Sequence, residues 1–141
     1  MQKAEKKDKS TEVAKKQLGK RIAECRSEMS QRKLAGAVGL PPSNMKYIED
    51  GVNAPSPEIY NKIIGILKPE SKKRKEMDRL YMFIRKVPPP DVCKTMIENE
   101  AINEVMRMID GQILTDTQIG AMKLLVSSFT HNNDKGVAKN G

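Results

Sequence analysis

Apolar residues recur at helical spacing along almost the whole chain, and this pattern restricts the fold more than any other feature of the sequence. Leu18, Ile22 and Cys25 follow one another at intervals of four and three residues. Such intervals place side chains on one face of an α-helix, whereas a half-buried strand requires alternation with a period of two residues. Because no segment shows that alternation, the sequence predicts an all-α protein.

Residues that start and stop helices stand between the apolar stripes. Ser30 is a suitable N-cap for the helix that follows it, and Gly39 can take the positive φ that often ends a helix. Ser56 followed by Pro57 predicts the first turn of another helix, which Pro69 ends. The stripes expected to be buried are Leu34, Ala35 and Val38; Ile59, Ile63, Ile64 and Leu67; and, in a helix over Lys72 to Lys86, Met77, Leu80, Tyr81 and Ile84.

Positive charge is concentrated in the first part of the chain. The net charge is +8, but residues 1–90 hold 21 basic and 11 acidic side chains, whereas residues 91–141 hold 5 basic and 7 acidic ones. This distribution favours a part that binds a polyanion, joined to a part with another role. Surface lysines are common in proteins, so charge alone does not identify a nucleic acid as the partner.

Candidate catalytic and metal-binding residues are scattered. The single histidine, His131, lies in a polar tail, and Cys25 and Cys93 stand too far apart in the sequence for a C-x-x-C site. Glu100 and Glu104 share a helical face, but we interpret them as part of an acidic surface. No glycine-rich phosphate-binding motif is present. We therefore expect neither an enzyme nor a cofactor or metal site.

Apolar stretches in this sequence are short. The longest is a handful of residues, far fewer than the number that a transmembrane helix requires. The first twenty residues contain seven lysines and no apolar core of a signal peptide. These features predict a cytoplasmic protein without a membrane partner.

The stretch from Gln31 to Ile48 has the pattern of a helix-turn-helix motif. Such a motif requires a small residue where its two helices cross, a glycine in the turn and apolar residues on the inner face of the second helix. Ala35, Gly39, Met45 and Ile48 meet these requirements. Each feature is common by itself, but together at this spacing they are a strong signal.

Leu18 to Leu67 resembles the DNA-binding domain of the Cro/phage-repressor (Xre-like) helix-turn-helix family. The resemblance covers about fifty residues of the chain and implies a five-helix, lambda-repressor-like domain followed here by a short C-terminal helical segment. It also implies an ion pair between Arg26 and Glu49, although the link between the first two helices is shorter than in the family. The residues that carry the resemblance are Arg26, Met29-Ser30-Gln31 with Leu34-Ala35, Val38-Gly39, Ile48-Glu49 with Gly51, and Pro55-Ser56.

The same resemblance implies a set of DNA contacts. The recognition helix is expected from about Pro42 to Asp50, with Pro41 and Pro42 where most members of the family have a Ser or Thr cap. With Met45 and Ile48 buried, the opposite face of this helix is expected in the major groove. Gln31 is expected to contact a phosphate at the start of the preceding helix. The expected DNA-binding residues are Gln31, Pro42, Ser43, Asn44, Lys46, Tyr47 and Asp50.

The proline-rich run that begins at Val87 is interpreted as a break between two parts. Beyond it, apolar residues at helical spacing predict two or three short helices, with one face too apolar to stand alone. The expected organisation is a flexible basic arm (1–16), a helix-turn-helix DNA-binding domain (17–86), a proline-rich break (87–91), a C-terminal helical segment for oligomerisation or partner binding (92–130) and a flexible tail (131–141).

The sequence therefore predicts a DNA-binding transcriptional regulator, in the first place a repressor, that binds double-stranded DNA as a homodimer. Two alternatives of a different class stay open. The chain could be the antitoxin of a toxin–antitoxin pair, whose C-terminal helices cover a toxin while the helix-turn-helix represses its own operon. It could also be a bridging cofactor that contacts proteins through the same domain.

Overall fold

The computed structural model describes the backbone of residues 2–140 and the side chains of residues 9–130. Over residues 2–140 the chain is all-α, as the apolar spacing predicted, with eight helices and no strand. The helices are α1 (Gln2–Arg26), α2 (Gln31–Val38), α3 (Pro42–Glu49), α4 (Pro57–Leu67), α5 (Ser71–Arg85), α6 (Pro90–Glu98), α7 (Ile102–Met108) and α8 (Asp116–Asn140).

The chain divides into two units, residues 1–100 and residues 101–141. In the first unit, α1 packs on α3 and α5, and α2 packs on α3 and α4. The side chains between these helices form a single core that includes most of the stripes expected from the sequence. The buried hydrophobic residues of this core are Ala14, Leu18, Ile22, Leu34, Ala35, Val38, Met45, Ile48, Tyr60, Ile63, Ile64, Met77, Leu80 and Tyr81.

Helix α1 begins well before the boundary that the sequence analysis expected. That analysis assigned residues 1–16 to a flexible basic arm, but the structure places residues 2–26 in one helix and buries Ala14. Ala14 lies four residues before Leu18, so the apolar face of the helix starts one turn earlier than Leu18. The side chains of residues 1–8 of the expected arm lie outside the described part of the structure.

Two stacked tyrosines join α4 to α5. The rings of Tyr60 and Tyr81 lie 4.3 Å apart at an angle of 15°. The Tyr60 hydroxyl donates a hydrogen bond of 2.7 Å to Asp78, and Arg74 forms an ion pair with the same carboxylate. Burial, together with the Asp78 carboxylate, raises the pKa of Tyr60 well above its usual range. The sequence analysis did not include Tyr60 in the core, because its expected stripe contained only aliphatic residues.

The proline-rich run does not separate the two units. Helix α6, which follows it, belongs to the first unit and packs on α4. Arg74 of α5 reaches Asp91 in the first turn of α6 with an ion pair of 3.1 Å. The N-cap position of α6 is Pro89, and no side chain caps this helix.

The second unit contains α7 and α8 and has no buried residue among its described side chains. Helix α8 continues to Asn140, through the segment for which a flexible tail was expected; the side chains of that segment are not described. No described helix combines the length and apolar content that crossing a membrane requires. The large apolar residues of this unit that are most exposed are Ile102, Val105, Met106, Met108, Ile113, Leu124, Leu125, Val126 and Phe129.

Candidate nucleic-acid interface

A tight turn connects α2 to α3. The Ser30 side chain accepts a hydrogen bond of 3.0 Å from the backbone N–H of Lys33 and so caps α2, as its sequence predicted. Gly39 ends the helix with φ at +79°, a value that glycine adopts without a steric penalty. Helix α3 then starts at Pro42, and no side chain caps it. Helix α2 is therefore bounded by a serine cap at its start and a glycine at its end, and α3 starts with proline geometry.

Two glycines let α1 approach the end of α3 closely. A Cβ atom built on Gly19 would lie 2.4 Å from the carbonyl oxygens of Ile48 and Glu49. Gly51 has φ at +78°, and a Cβ there would lie 2.5 Å from the Lys16 backbone. No other residue type fits either position without moving the backbone, so these contacts set where α3 sits on α1.

A network of three polar side chains ties α1, α2 and α3 together. Arg26 Nε donates to Glu49 Oε2 at 2.8 Å, and an Arg26 terminal nitrogen donates to the Met29 carbonyl at 2.9 Å. The Glu49 side chain is only 5% exposed, so its charge depends on this arginine for compensation. The hydrogen bond to Glu49 also raises the pKa of Arg26. The ion pair that the resemblance implied is thus present in spite of the short link.

Gln31 belongs to this network. Its side-chain amide donates to Glu49 Oε1 at 3.1 Å, and the residue is half-buried. The sequence analysis expected Gln31 to face a phosphate. In the structure its amide is bound to the Glu49 carboxylate. The backbone N–H groups in the first turn of α2 are then the donors available to a phosphate.

The outward face of α3 carries the other expected residues. Helix α3 buries Met45 and Ile48, and its opposite side is exposed to solvent. Tyr47 is 47% exposed, which is high for an aromatic side chain. The exposed residues that the sequence analysis selected here are Pro42, Ser43, Asn44, Lys46, Tyr47 and Asp50.

Lys46 and Asp50 form an ion pair on this face. Lys46 Nζ lies 2.7 Å from Asp50 Oδ2, and both side chains are about half exposed or more, at 63% and 49%. Hydrogen bonding to Asp50 raises the pKa of Lys46, so the amine is charged at neutral pH. Asp50 is the C-cap residue of α3, whose last helical residue is Glu49. An exposed pair of this kind is weak and exchanges readily for other partners.

Further positive side chains lie on the surface of the first unit. Arg32 and Lys33 are exposed in the first turn of α2, and Lys72, Lys73 and Lys75 are exposed in α5. None of these five forms an ion pair with another described side chain. Arg32 and Lys33 were not among the residues selected from the sequence, although two basic residues at the second and third positions of a helix were a visible signal for an anion contact.

The described residues hold no group of three or more His, Cys, Asp or Glu side chains that could bind a metal ion. The site therefore consists of hydrogen-bonding and cationic side chains on a rigidly held helix. This arrangement can bind an extended polar or anionic surface. Comparison of the chain with known protein families, curated proteins and solved structures found no match.

Proposed function

We propose that this protein is a sequence-specific DNA-binding transcriptional regulator that inserts α3 into the major groove. One observation carries the proposal: α3 is an eight-residue helix with an apolar face buried on α1 and α2 and a polar face exposed to solvent. A major groove about 12 Å wide admits such a helix. The resemblance of Leu18 to Leu67 to the Xre-like family, and the five-helix arrangement that it implies, support the same conclusion.

The side chains on the exposed face fit base recognition. Lys46 donates to the acceptor atoms of guanine, Ser43 donates or accepts, and Tyr47 donates or packs against a thymine methyl group. Asp50 accepts from the amino group of cytosine. Lys46 has to exchange Asp50 for a base, and the 2.7 Å pair on an exposed surface permits that exchange.

Phosphate contacts come from elsewhere in the first unit. Residues 1–100 carry 22 basic and 14 acidic side chains, and residues 101–141 carry 4 of each. The N-terminal end of α2, with Arg32 and Lys33, presents both backbone N–H groups and cations to an anion. The amide of Gln31 can bind a phosphate only after it releases Glu49. Before the protein contacts DNA, we therefore assign Gln31 the role of holding α2 against α3.

The second unit supplies the contact between two copies. Its described side chains bury no core, and its apolar residues lie exposed along α7 and α8. Two copies place two recognition helices on one face of the duplex, about 34 Å apart, which matches a two-fold symmetric operator. Because the second unit is neutral overall, identical copies do not repel one another there.

An antitoxin is the second candidate, and the same exposed apolar residues favour it. In that case they cover a toxin, while α3 still represses transcription. The two candidates make the same prediction for α3 and differ only in the partner of α7 and α8.

Selection from a random pool of double-stranded DNA tests the proposal. The purified full-length protein should enrich a short palindrome, since each half is read by one copy. Enrichment of a single half-site would support sequence-specific DNA recognition but contradict binding as a homodimer. Recovery of no sequence motif at low salt would contradict DNA recognition and favour the protein-bridging alternative.

A further inference from the structure

An open groove of about 450 Å³ lies within the first unit, between the start of α4, the end of α5 and helix α6. Three prolines, the Tyr81 ring and the side chains of Val87 and Ile97 form its walls, so its surface is almost wholly apolar. The volume is in the range of roughly 300–1,000 Å³ that small-molecule sites occupy. Because proline fixes φ, these walls are held in shape without a bound molecule.

Tyr81, one of the residues that line this groove, carries a buried hydroxyl without a partner. Among the side chains that the structure describes, the Tyr81 hydroxyl is the one buried polar group that makes no hydrogen bond. The adjacent Tyr60 shows the usual arrangement, since its hydroxyl donates to Asp78 at 2.7 Å. Buried polar groups in proteins are nearly always paired, so the unpaired hydroxyl of Tyr81 requires an explanation.

The other polar residues that line the groove do not serve as acceptors for this hydroxyl. Cys93 also lines the groove, and its Sγ donates to the Pro88 carbonyl at 3.4 Å. A thiol is a weak acceptor. The charged residues of the lining, Lys94 and Glu98, pair with each other at 3.9 Å. The groove therefore offers a donor and lacks the acceptor that would match it.

The exposed end of the groove is also apolar. Ile97 is 80% exposed, and α6 buries no residue of its own. An apolar helix packed here would cover Ile97. The backbone carbonyls of such a helix are already bonded within it, so the Tyr81 hydroxyl would stay unpaired. A small molecule that carries its own acceptor satisfies both features.

We propose that this groove binds a small, largely apolar molecule with one carbonyl oxygen, which accepts a hydrogen bond from the Tyr81 hydroxyl. The hydroxyl is buried from solvent, so the side chains over it shift slightly when the molecule enters. The proposal does not depend on what α3 binds, because none of the lining residues belongs to α2 or α3.

Two probes of the same shape test the proposal on the full-length protein. Acetophenone has an aromatic ring and a carbonyl, and ethylbenzene has the same carbon skeleton without the oxygen. Titrations are followed by NMR on protein with labelled isoleucine and valine methyl groups. We expect saturable shifts at Ile97 and Val87 with both probes and none at Ile113, which is 98% exposed in the second unit. Acetophenone should bind about fivefold more tightly, as expected for one net hydrogen bond.

Tyr81→Phe should remove the preference for acetophenone, so that the two probes bind within about twofold of each other. In the absence of probe this variant should unfold at the same temperature as the wild-type protein or higher, because it loses an unpaired buried hydroxyl. Ile97→Gln should weaken both probes alike, and Ile113→Gln should affect neither.

Three results would overturn the proposal. One is the absence of saturable shifts at Ile97 and Val87 with either probe. Another is equal affinity of the two probes for the wild-type protein, a comparison that needs no variant to fold. The third is a shift of the Ile97 and Val87 methyl groups with protein concentration alone, which would show that a second copy occupies the groove.

Discussion

The two units contain similar kinds of apolar residue but use them differently. In residues 1–100, fourteen hydrophobic side chains are buried in one core, and the network of Arg26, Gln31 and Glu49 fixes α3 against α1 and α2. In residues 101–130 no side chain is buried, although isoleucine, valine, leucine and methionine are frequent. The first unit therefore determines its own structure, whereas the described apolar side chains of the second unit stay outside any core. Substitutions should lower stability in the first unit and association in the second.

A charge placed on an apolar position should separate the two units most clearly. Ile63 is fully buried, so Ile63→Glu should lower the free energy of unfolding by more than about 4 kcal/mol and leave the first unit unfolded. The double variant Met106→Glu with Ile109→Glu should change that free energy by less than about 1 kcal/mol. Circular dichroism measures the first effect, and sedimentation velocity should show the double variant as a monomer. Unfolding of the double variant would mean that these residues form a core within the chain.

Two glycine substitutions sharpen the same contrast. Gly19→Ala should destabilise the protein by about 1–3 kcal/mol or more, because its Cβ would meet two backbone carbonyls that cannot move aside. Gly120→Ala in α8 meets no atom within 4 Å and should be neutral or stabilising by about 0.5–1 kcal/mol. Denaturant titration gives both values. Equal effects would show that α1 does not hold α3 as closely as described.

Two arginines provide a smaller test. Arg26→Ala leaves the buried Glu49 carboxylate without its cation and should cost about 1–3 kcal/mol. Arg107→Ala removes an exposed side chain of the second unit and should change stability by less than about 0.5 kcal/mol. Thermal unfolding followed at the same pH and salt concentration compares them. Restoration of stability by Glu49→Gln in the Arg26→Ala background would show that the unpaired carboxylate causes the loss.

Alkaline pH should affect only the first unit through its tyrosines. Burial raises the folded-state pKa of both Tyr60 and Tyr81. Below about pH 10 both the folded and the unfolded protein keep these phenols neutral. The two tyrosines therefore make their full contribution to the free energy of unfolding. As pH rises above about 10, the unfolded chain loses protons that the folded chain retains, and stability falls by up to about 1.4 kcal/mol per pH unit for each tyrosine. Thermal unfolding between pH 8 and 11 should show this fall, and Tyr60→Phe should reduce its slope.

Local signals predicted much of the first unit. The caps Ser30 and Ser56 and the turn glycine Gly39 stand where the sequence placed them, because each acts within one or two helical turns. The apolar stripes likewise identified most of the core. Tyr60 was missed, and α6 was grouped with the C-terminal segment, whereas in the structure it belongs to the unit of residues 1–100. Both features depend on contacts between residues far apart in the chain.

The candidate site shows the same limit. Helical periodicity was sufficient to place Lys46 and Tyr47 opposite Met45 and Ile48. It was not sufficient for Gln31, whose amide binds a carboxylate eighteen residues away in the sequence. Surface exposure follows from a local period, whereas the partner of a polar side chain depends on the tertiary arrangement.

DNA binding by paired variants tests whether the exposed face of α3 reads DNA. Lys46→Ala with Tyr47→Ala removes one cation and one large side chain from that face. Asn61→Ala with Lys62→Ala is the matched control, because Lys62 is exposed and pairs with Glu58 four residues away, just as Lys46 pairs with Asp50. Both should unfold like the wild-type protein.

The measurement is a gel-shift titration of the wild-type protein and the two double variants on the sequence enriched from the random pool. We expect the α3 variant to lose about 2–4 kcal/mol of binding free energy, roughly 30-fold to 1,000-fold in Kd, at constant salt. The α4 control should stay within about threefold of the wild-type protein. Equal affinity of the α3 variant and the wild-type protein would contradict the claim.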